Sequence, residues 1–198
     1  AYFNLAHLLN ELGRKDEAIE QYKLGIKSNP NIAAAYSNLG SLFADTGRKD
    51  EAEEQFRLAI KFDPNLAAAY TNLGILLVDM GRKDEAEMQY RLAIKSDPNL
   101  TAAHGNLGNL LVDLGRMDEA EEQYRLVIKS DPNDALAHDN YANLLREAGR
   151  LSEAEREVRV ALDIDHLDPY SRRTLGNILA DEGWLDEAEK EYKFALEH

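Results

Sequence analysis

The chain has 198 residues, of which 44% are hydrophobic and 30% charged, and its net charge is −14. It contains no cysteine, which excludes a disulfide framework and thiol catalysis, and no apolar stretch reaches the roughly 18 residues of a membrane span. Residues 101–198 account for −11 of the charge, and so acidic a surface repels phosphate backbones. We therefore expect a protein or peptide partner with basic groups and no nucleic-acid or membrane partner. The sequence leaves the location undetermined, with the cytoplasm favoured.

Several residue types recur at intervals of 34 residues. The recurring residues are Pro30, Pro64, Pro98 and Pro132; Gly13, Gly47, Gly81, Gly115, Gly149 and Gly183; and Ala18, Ala52, Ala86, Ala120, Ala154 and Ala188. A repeat of this length indicates a solenoid, with units at 1–32, 33–66, 67–100, 101–134, 135–168 and 169–198. We expect a truncated first unit and a partial last one, as in a fragment of a longer array, and interpret the final two residues as the start of an expression tag.

Each unit is predicted to form two helices, as the second unit illustrates. Residues 35–43 place apolar side chains at helical spacing. Gly47 is predicted to end this helix, because glycine adopts the left-handed conformation without strain. The second helix is predicted to open on Asp50, with Glu53 three residues later completing a capping box. A turn around the repeated proline closes the unit.

The second unit carries key residues at positions that the other units largely share: Tyr36, Leu39, Gly40, Phe43, Ala52, Phe56, Ala59 and Pro64. This pattern resembles the signature of the tetratricopeptide repeat (TPR) family. The resemblance implies an all-α, right-handed superhelical solenoid of about six antiparallel helix pairs, whose first helices line a ligand-binding concave face. The Asn-Leu-Gly triplets at 38–40, 72–74 and 106–108 are similar to those in the TPR superhelix of O-GlcNAc transferases, whose catalytic domain has no counterpart here.

The last three units depart from this signature at two positions. His104, His138 and Arg172 stand where the earlier units have tyrosine, and His166 stands where the earlier units have the turn proline. The two histidines are predicted to pack at core positions rather than to bind metal. His166 is expected to weaken its turn.

One row of amides is the first candidate binding site. Carried over from the family's concave face, the row contains Asn38, Asn72, Asn106 and Asn140. An amide offers both a donor and an acceptor, so such a row could bind the main chain of a partner without reading its sequence. The alternative is that these asparagines only tie neighbouring helices together. Asn109, at an otherwise small or apolar groove position, is added to the predicted site.

A second row is acidic and lies seven residues after the asparagines: Glu11, Asp45, Asp79, Asp113, Glu147 and Asp181. Two helical turns separate the rows, which places them on nearly the same face. Acids near a helix C-terminus oppose the helix dipole, so their repetition calls for a reason. We predict that Asp45, Asp79 and Asp113 select Lys or Arg on the ligand. The alternative is a set of solvated charges at the rim.

An apolar row on the second helices offers a structural alternative to peptide binding. Its members are Leu24, Leu58, Leu92, Leu126, Val160 and Phe194, predicted to point outward. Single exposed apolar residues among charged neighbours are ordinary, but such a row could also mediate self-association, as could the final apolar face with Tyr192 and Ala195.

No motif of catalysis or cofactor binding is found. The sequence lacks a Cys/His cluster, a phosphate loop and a nucleophile elbow, and its carboxylates are periodic in the way that capping and solvation predict. We expect no enzyme activity, no cofactor and no metal.

Overall fold

The computed structural model describes residues 1–198 and contains twelve helices and no strand. The helices are α1 (Tyr2–Glu11), α2 (Lys15–Ser28), α3 (Ala33–Asp45), α4 (Lys49–Phe62), α5 (Ala67–Asp79), α6 (Lys83–Ser96), α7 (Thr101–Asp113), α8 (Met117–Ser130), α9 (Ala135–Glu147), α10 (Leu151–Ile164), α11 (Pro169–Glu182) and α12 (Leu185–Glu197). They form six consecutive pairs, which confirms the predicted all-α helix-pair architecture. The chain divides into two compact units, residues 1–106 and 107–198.

A repeated glycine ends the first helix of every pair. All six of these glycines have φ between +73° and +90°, as predicted. At the end of α3, the amide of Gly47 donates to the Ala44 carbonyl at 2.9 Å and the amide of Arg48 donates to the Phe43 carbonyl at 2.8 Å. This is the Schellman arrangement, and it requires the left-handed residue that glycine supplies.

The predicted capping boxes at the starts of the second helices are wrong. The N-cap of α4 is Arg48, without any side-chain cap, so Asp50 already lies inside the first turn. Arg48 instead holds Glu51 with two hydrogen bonds of 2.6 Å, and Glu53 pairs with Arg82 at 2.6 Å. The helix starts early because Arg48 follows the left-handed glycine directly. The acids of the first turn still stabilise the helix, because their negative charge lies at the positive end of the helix dipole.

In the compact unit of residues 1–106, α3 packs on α4 and α5 packs on α6 through glycine–aromatic contacts. A Cβ at Gly40 would lie 2.8 Å from the ring of Phe56, and one at Gly74 would lie 2.5 Å from the ring of Tyr90. Neighbouring pairs then share apolar clusters. One cluster joins Tyr36 of α3, Ala59 of α4 and Ala69 of α5, so each pair buries its apolar face against the next.

In the compact unit of residues 107–198, α9 packs on α8, α10 and α11. The glycine–aromatic contact recurs: a Cβ at Gly108 would lie 2.8 Å from Tyr124, and one at Gly176 would lie 2.6 Å from Tyr192. His138 is buried on α9, and His104 is buried on α7 in the other unit, both as core positions predict. The turn at His166 keeps its form, because Arg172 donates to the carbonyl of His166 at 2.9 Å.

The apolar row on the second helices is only partly outward-facing. Leu24, Leu126 and Val160 are exposed, but Leu58 and Leu92 are half-buried and pack against the clusters around Tyr36 and Tyr70. The prediction that this row points outward is therefore wrong for Leu58 and Leu92. These leucines reach sideways to the next helix pair.

Candidate ligand groove

The first helices α3 and α5 lie side by side in the compact unit of residues 1–106 and leave a shallow groove of about 290 Å³. Its lining residues are Ser41, Ala44, Asp45, Phe56, Asn72, Ile75, Leu76 and Asp79. Small side chains on α3 and the half-exposed Ile75 on α5 give it an apolar floor. The structure thus brings three of the predicted site residues together: Asn72 between Asp45 and Asp79.

The predicted asparagines keep their amides available. Asn38 is exposed, and Asn72, Asn106 and Asn140 are half-buried. Asn72 makes one long contact, with its Nδ2 lying 3.5 Å from Ser41 Oγ on the neighbouring helix α3. The other three form no side-chain hydrogen bond, so they do not tie neighbouring helices together.

The acidic row has a structural role that the sequence argument missed. Asp45 pairs with Lys15 of α2 at 3.3 Å, and Asp79 pairs with Lys49 of α4 at 2.6 Å, so each carboxylate joins consecutive helix pairs. The signal was present in the sequence as a lysine 30 residues before each aspartate. In both pairs the ion pair uses one carboxylate oxygen, and the aspartate side chains remain more than half exposed.

The row changes in the compact unit of residues 107–198. Glu147 has Met117 at the lysine position and forms no ion pair. Asp181 is paired with Arg146 of α9 at 2.9 Å instead. Of these two acids of the row, Glu147 is therefore the one whose charge is not neutralised by a neighbour.

Two tyrosines of the second helices orient groove amides. The Tyr124 hydroxyl donates to Asn109 Oδ1 at 2.6 Å, and the Tyr192 hydroxyl donates to Asn177 Oδ1 at 2.9 Å. Burial, followed by the negative charges of Asp113 and Glu147, raises the pKa of Tyr124. The predicted site residues Asn109 and Asp113 thus lie around one phenol, with the Asn109 oxygen already engaged and its NH₂ group left for other partners.

A buried polar cluster joins α9 to α11 beside this row. Asn143 Nδ2 donates to Asp139 Oδ2 at 3.3 Å and to Thr174 Oγ1 at 3.0 Å. Asp139 Oδ1 and Ser171 Oγ are buried without a geometrically aligned partner. Burial raises the pKa of Asp139, although the nearby hydroxyls of Thr174 and Ser171 act in the opposite direction. No pattern in the sequence indicated this cluster.

No three His, Asp or Glu side chains converge as metal ligands. None of the twelve helices combines the length and the apolar content needed to cross a bilayer.

Helix pairs of 34 residues, closed by glycine–aromatic contacts and stacked through shared clusters, define a TPR solenoid. The whole chain, residues 1–198, matches the family described as the cilia and flagella-associated protein 70 C-terminal domain, and the chain belongs to this TPR family. No curated protein matches it in sequence.

Solved TPR structures have the same fold. PilW, a type IV pilus biogenesis factor, has 20% sequence identity and a TM-score of 0.86, with 96% of this chain and 88% of that chain covered. MamA has 25% identity and a TM-score of 0.72, covering 81% and 94%. YrrB, described as a TPR protein with an unusual peptide-binding site, has 20% identity and a TM-score of 0.70, covering 89% and 91%. TPR folds generally mediate protein–protein interaction and are generally not enzymes.

Proposed function

We propose that this chain binds an extended peptide or partner segment along the groove of its first helices. The main support is the set of amides that make no hydrogen bond to neighbouring helices, namely those of Asn38, Asn106 and Asn140, together with the nearly free amide of Asn72. A row of unengaged donors and acceptors at a constant repeat suits main-chain recognition. YrrB, a structural neighbour, is described as having a peptide-binding site.

The acidic row gives the groove a preference for basic ligands. Asp45 and Asp79 already hold lysines, but each is more than half exposed, and a carboxylate has acceptor sites for a second cation. Asp113, with Glu147, adds negative charge around Tyr124. Charge complementarity of this kind accelerates encounter and weakens as salt is added.

The test starts from peptides selected on the immobilised chain from a random 12-residue phage library. Titration calorimetry then compares the wild type with the double variant Asn38→Ala/Asn72→Ala. Losing two hydrogen bonds of about 1 kcal/mol each predicts an increase in Kd of about 30-fold. Asn65→Ala/Asn99→Ala, which changes two exposed turn asparagines, serves as the control and should bind normally. Equal affinity of the Asn38/Asn72 variant, with an unchanged helical spectrum, would remove the proposed mechanism.

Self-association is a second candidate, favoured by the apolar surface of α11 and α12. A depression of about 510 Å³ lies there, lined by Pro169, Tyr170, Arg173, Tyr192, Ala195 and Leu196. Tyr170 and Leu196 are 64% and 87% exposed. Light scattering over a concentration series should show association that Leu196→Lys abolishes, and a constant monomer mass at every concentration would dismiss this candidate.

A further inference from the structure

From the second helix pair on, one residue position binds the turn that precedes the pair. Tyr36 and Tyr70 do so with their hydroxyls, which donate to the carbonyls of Pro30 and Pro64 at 2.9 and 3.2 Å. In the later pairs the same position is His138, whose Nε2 lies 3.2 Å from the Pro132 carbonyl, and Arg172, whose Nη2 donates to the His166 carbonyl at 2.9 Å. The contact to the turn is therefore kept while the chemistry of the donor changes.

His138 has an acceptor at both of its ring nitrogens. Its Nδ1 lies 2.7 Å from Glu157 Oε2 on α10, opposite the carbonyl contact of Nε2. A carbonyl oxygen and an ionised carboxylate can only accept, whereas a neutral imidazole carries a single N–H. The side chain is only 7% exposed, which leaves little room for water to replace a missing bond. Both contacts are satisfied together when the ring is an imidazolium cation.

The other repeats support this interpretation, because the residue 19 positions later in the sequence changes with it. Where the position is Tyr36 or Tyr70, the counterpart of Glu157 is the neutral Gln55 or Gln89. Where it is Arg172, the counterpart is an acid. Arg172 is a permanent cation, and it binds a turn carbonyl and a carboxylate as His138 does. It donates to the His166 carbonyl and, through Nη1, to Glu191 Oε2 at 2.9 Å. A carboxylate thus occurs only where the donor is, or can become, a cation.

His104 shows the alternative chemistry for a histidine at this position. Its Nε2 lies 3.1 Å from the Pro98 carbonyl, and the counterpart of Glu157 is the neutral Gln123. A neutral side chain at that sequence position, unlike a carboxylate, sets no requirement for a charged imidazole. The requirement for a proton therefore arises from Glu157 and not from histidine alone.

We propose that His138 is a proton-dependent staple that fastens α9 to both the Pro132 turn and α10. As a cation it makes both bonds, one of them charge-assisted. When it loses its proton, either Glu157 or the turn carbonyl is left without a donor in a mostly buried place. The protein is therefore stabilised by both bonds while the ring is a cation, and it loses one of them when the ring is neutral.

Other charges around α9 are already matched or lie on other faces. Glu121 and Arg125 of α8 form hydrogen bonds with Tyr141, and Asp181 of α11 forms an ion pair with Arg146. Arg173 and Asp168 lie near the buried Asp139. None of them lies within hydrogen-bond distance of the His138 ring. Glu157 is therefore the acidic partner that makes the staple respond to protons.

The experiment measures urea unfolding at about pH 5.5 and about pH 8.5, on either side of histidine titration. His138→Arg copies the permanent cation of Arg172, and the double variant His138→Tyr/Glu157→Gln copies the neutral arrangement of Tyr36. From about pH 5.5 to about pH 8.5, the folding equilibrium constant of the wild type should fall by about tenfold more than that of either variant. A tenfold change corresponds to one charge-assisted hydrogen bond. An equal pH response in all three proteins would overturn the proposal.

A second measurement needs no variant. In the nitrogen NMR spectrum of the wild-type protein at about pH 6, both ring nitrogens of His138 should carry a proton. A neutral tautomer there, with a protonated Glu157 as the donor instead, would overturn the proposal even if a variant failed to fold.

Discussion

The contact between Gly74 and Tyr90, which joins the paired helices α5 and α6, can be tested by adding one methyl group. Gly74→Ala would place a Cβ 2.5 Å from the Tyr90 ring, closer than carbon atoms approach without displacement. Tyr90 is only 2% exposed, so its ring has little space to move. Overpacking of this kind costs about 1–3 kcal/mol, and the better helix propensity of alanine returns about 1 kcal/mol. We expect a net destabilisation of about 1 kcal/mol.

Gly105→Ala is the matched control, since it adds the same methyl group to α7 with no atom within 4 Å. Here only the propensity term applies, and the chain should become about 1 kcal/mol more stable. Urea denaturation followed by circular dichroism compares the two midpoints, with the slope checked because stacked repeats can unfold in parts. If Gly74→Ala were as stabilising as Gly105→Ala, the tight glycine–aromatic contact would not be what holds the pair together.

Three further predictions concern charge and burial. Lys49→Met should cost less than about 1 kcal/mol of stability, because surface ion pairs contribute little. It should strengthen binding of a basic peptide because it frees Asp79, and unchanged binding would argue against a role of Asp79 in ligand binding. Burial raises the pKa of Tyr90 to about 12 and also raises that of Tyr124, so ultraviolet titration should show tyrosines that ionise well above the exposed ones, with one fewer of them in Tyr90→Phe. Because burial raises the pKa of Asp139, its contribution to stability is present below the unfolded value and is lost as the pH rises through the folded one. Asp139→Asn should therefore flatten the fall in stability above about pH 4, measured by urea unfolding, and an unaltered profile would contradict this.

The repeat made most of the fold predictable from the sequence. Six copies of a glycine at one position fix six helix ends, because few other residues adopt that backbone conformation. The capping boxes failed for a local reason: the start of the second helix is set by Gly47 and Arg48, so Asp50 falls too late in the helix to cap it. Spacing alone does not show which residue is already helical.

The side-chain partners in the groove could be predicted less well. The sequence places Asp45 in a row of acids, but whether it meets a ligand or a lysine depends on how consecutive pairs stack. The cluster of Asp139 with Asn143 and Thr174 has no periodic signal at all, since it occurs once. Repetition predicts what all units share, and three-dimensional contacts are needed for what one unit has alone.

The ion pairs between consecutive helix pairs affect how the chain comes apart. Arg82 reaches back to Glu53 at 2.6 Å, Arg150 reaches back to Glu121 at 2.7 Å, and Lys49 reaches forward to Asp79. These contacts lie partly in solvent, where dissolved ions weaken them, whereas the glycine–aromatic contacts inside each pair are apolar. Salt should therefore weaken the coupling between neighbouring pairs only in part and leave the helix content unchanged, because the apolar clusters that the pairs share are not screened.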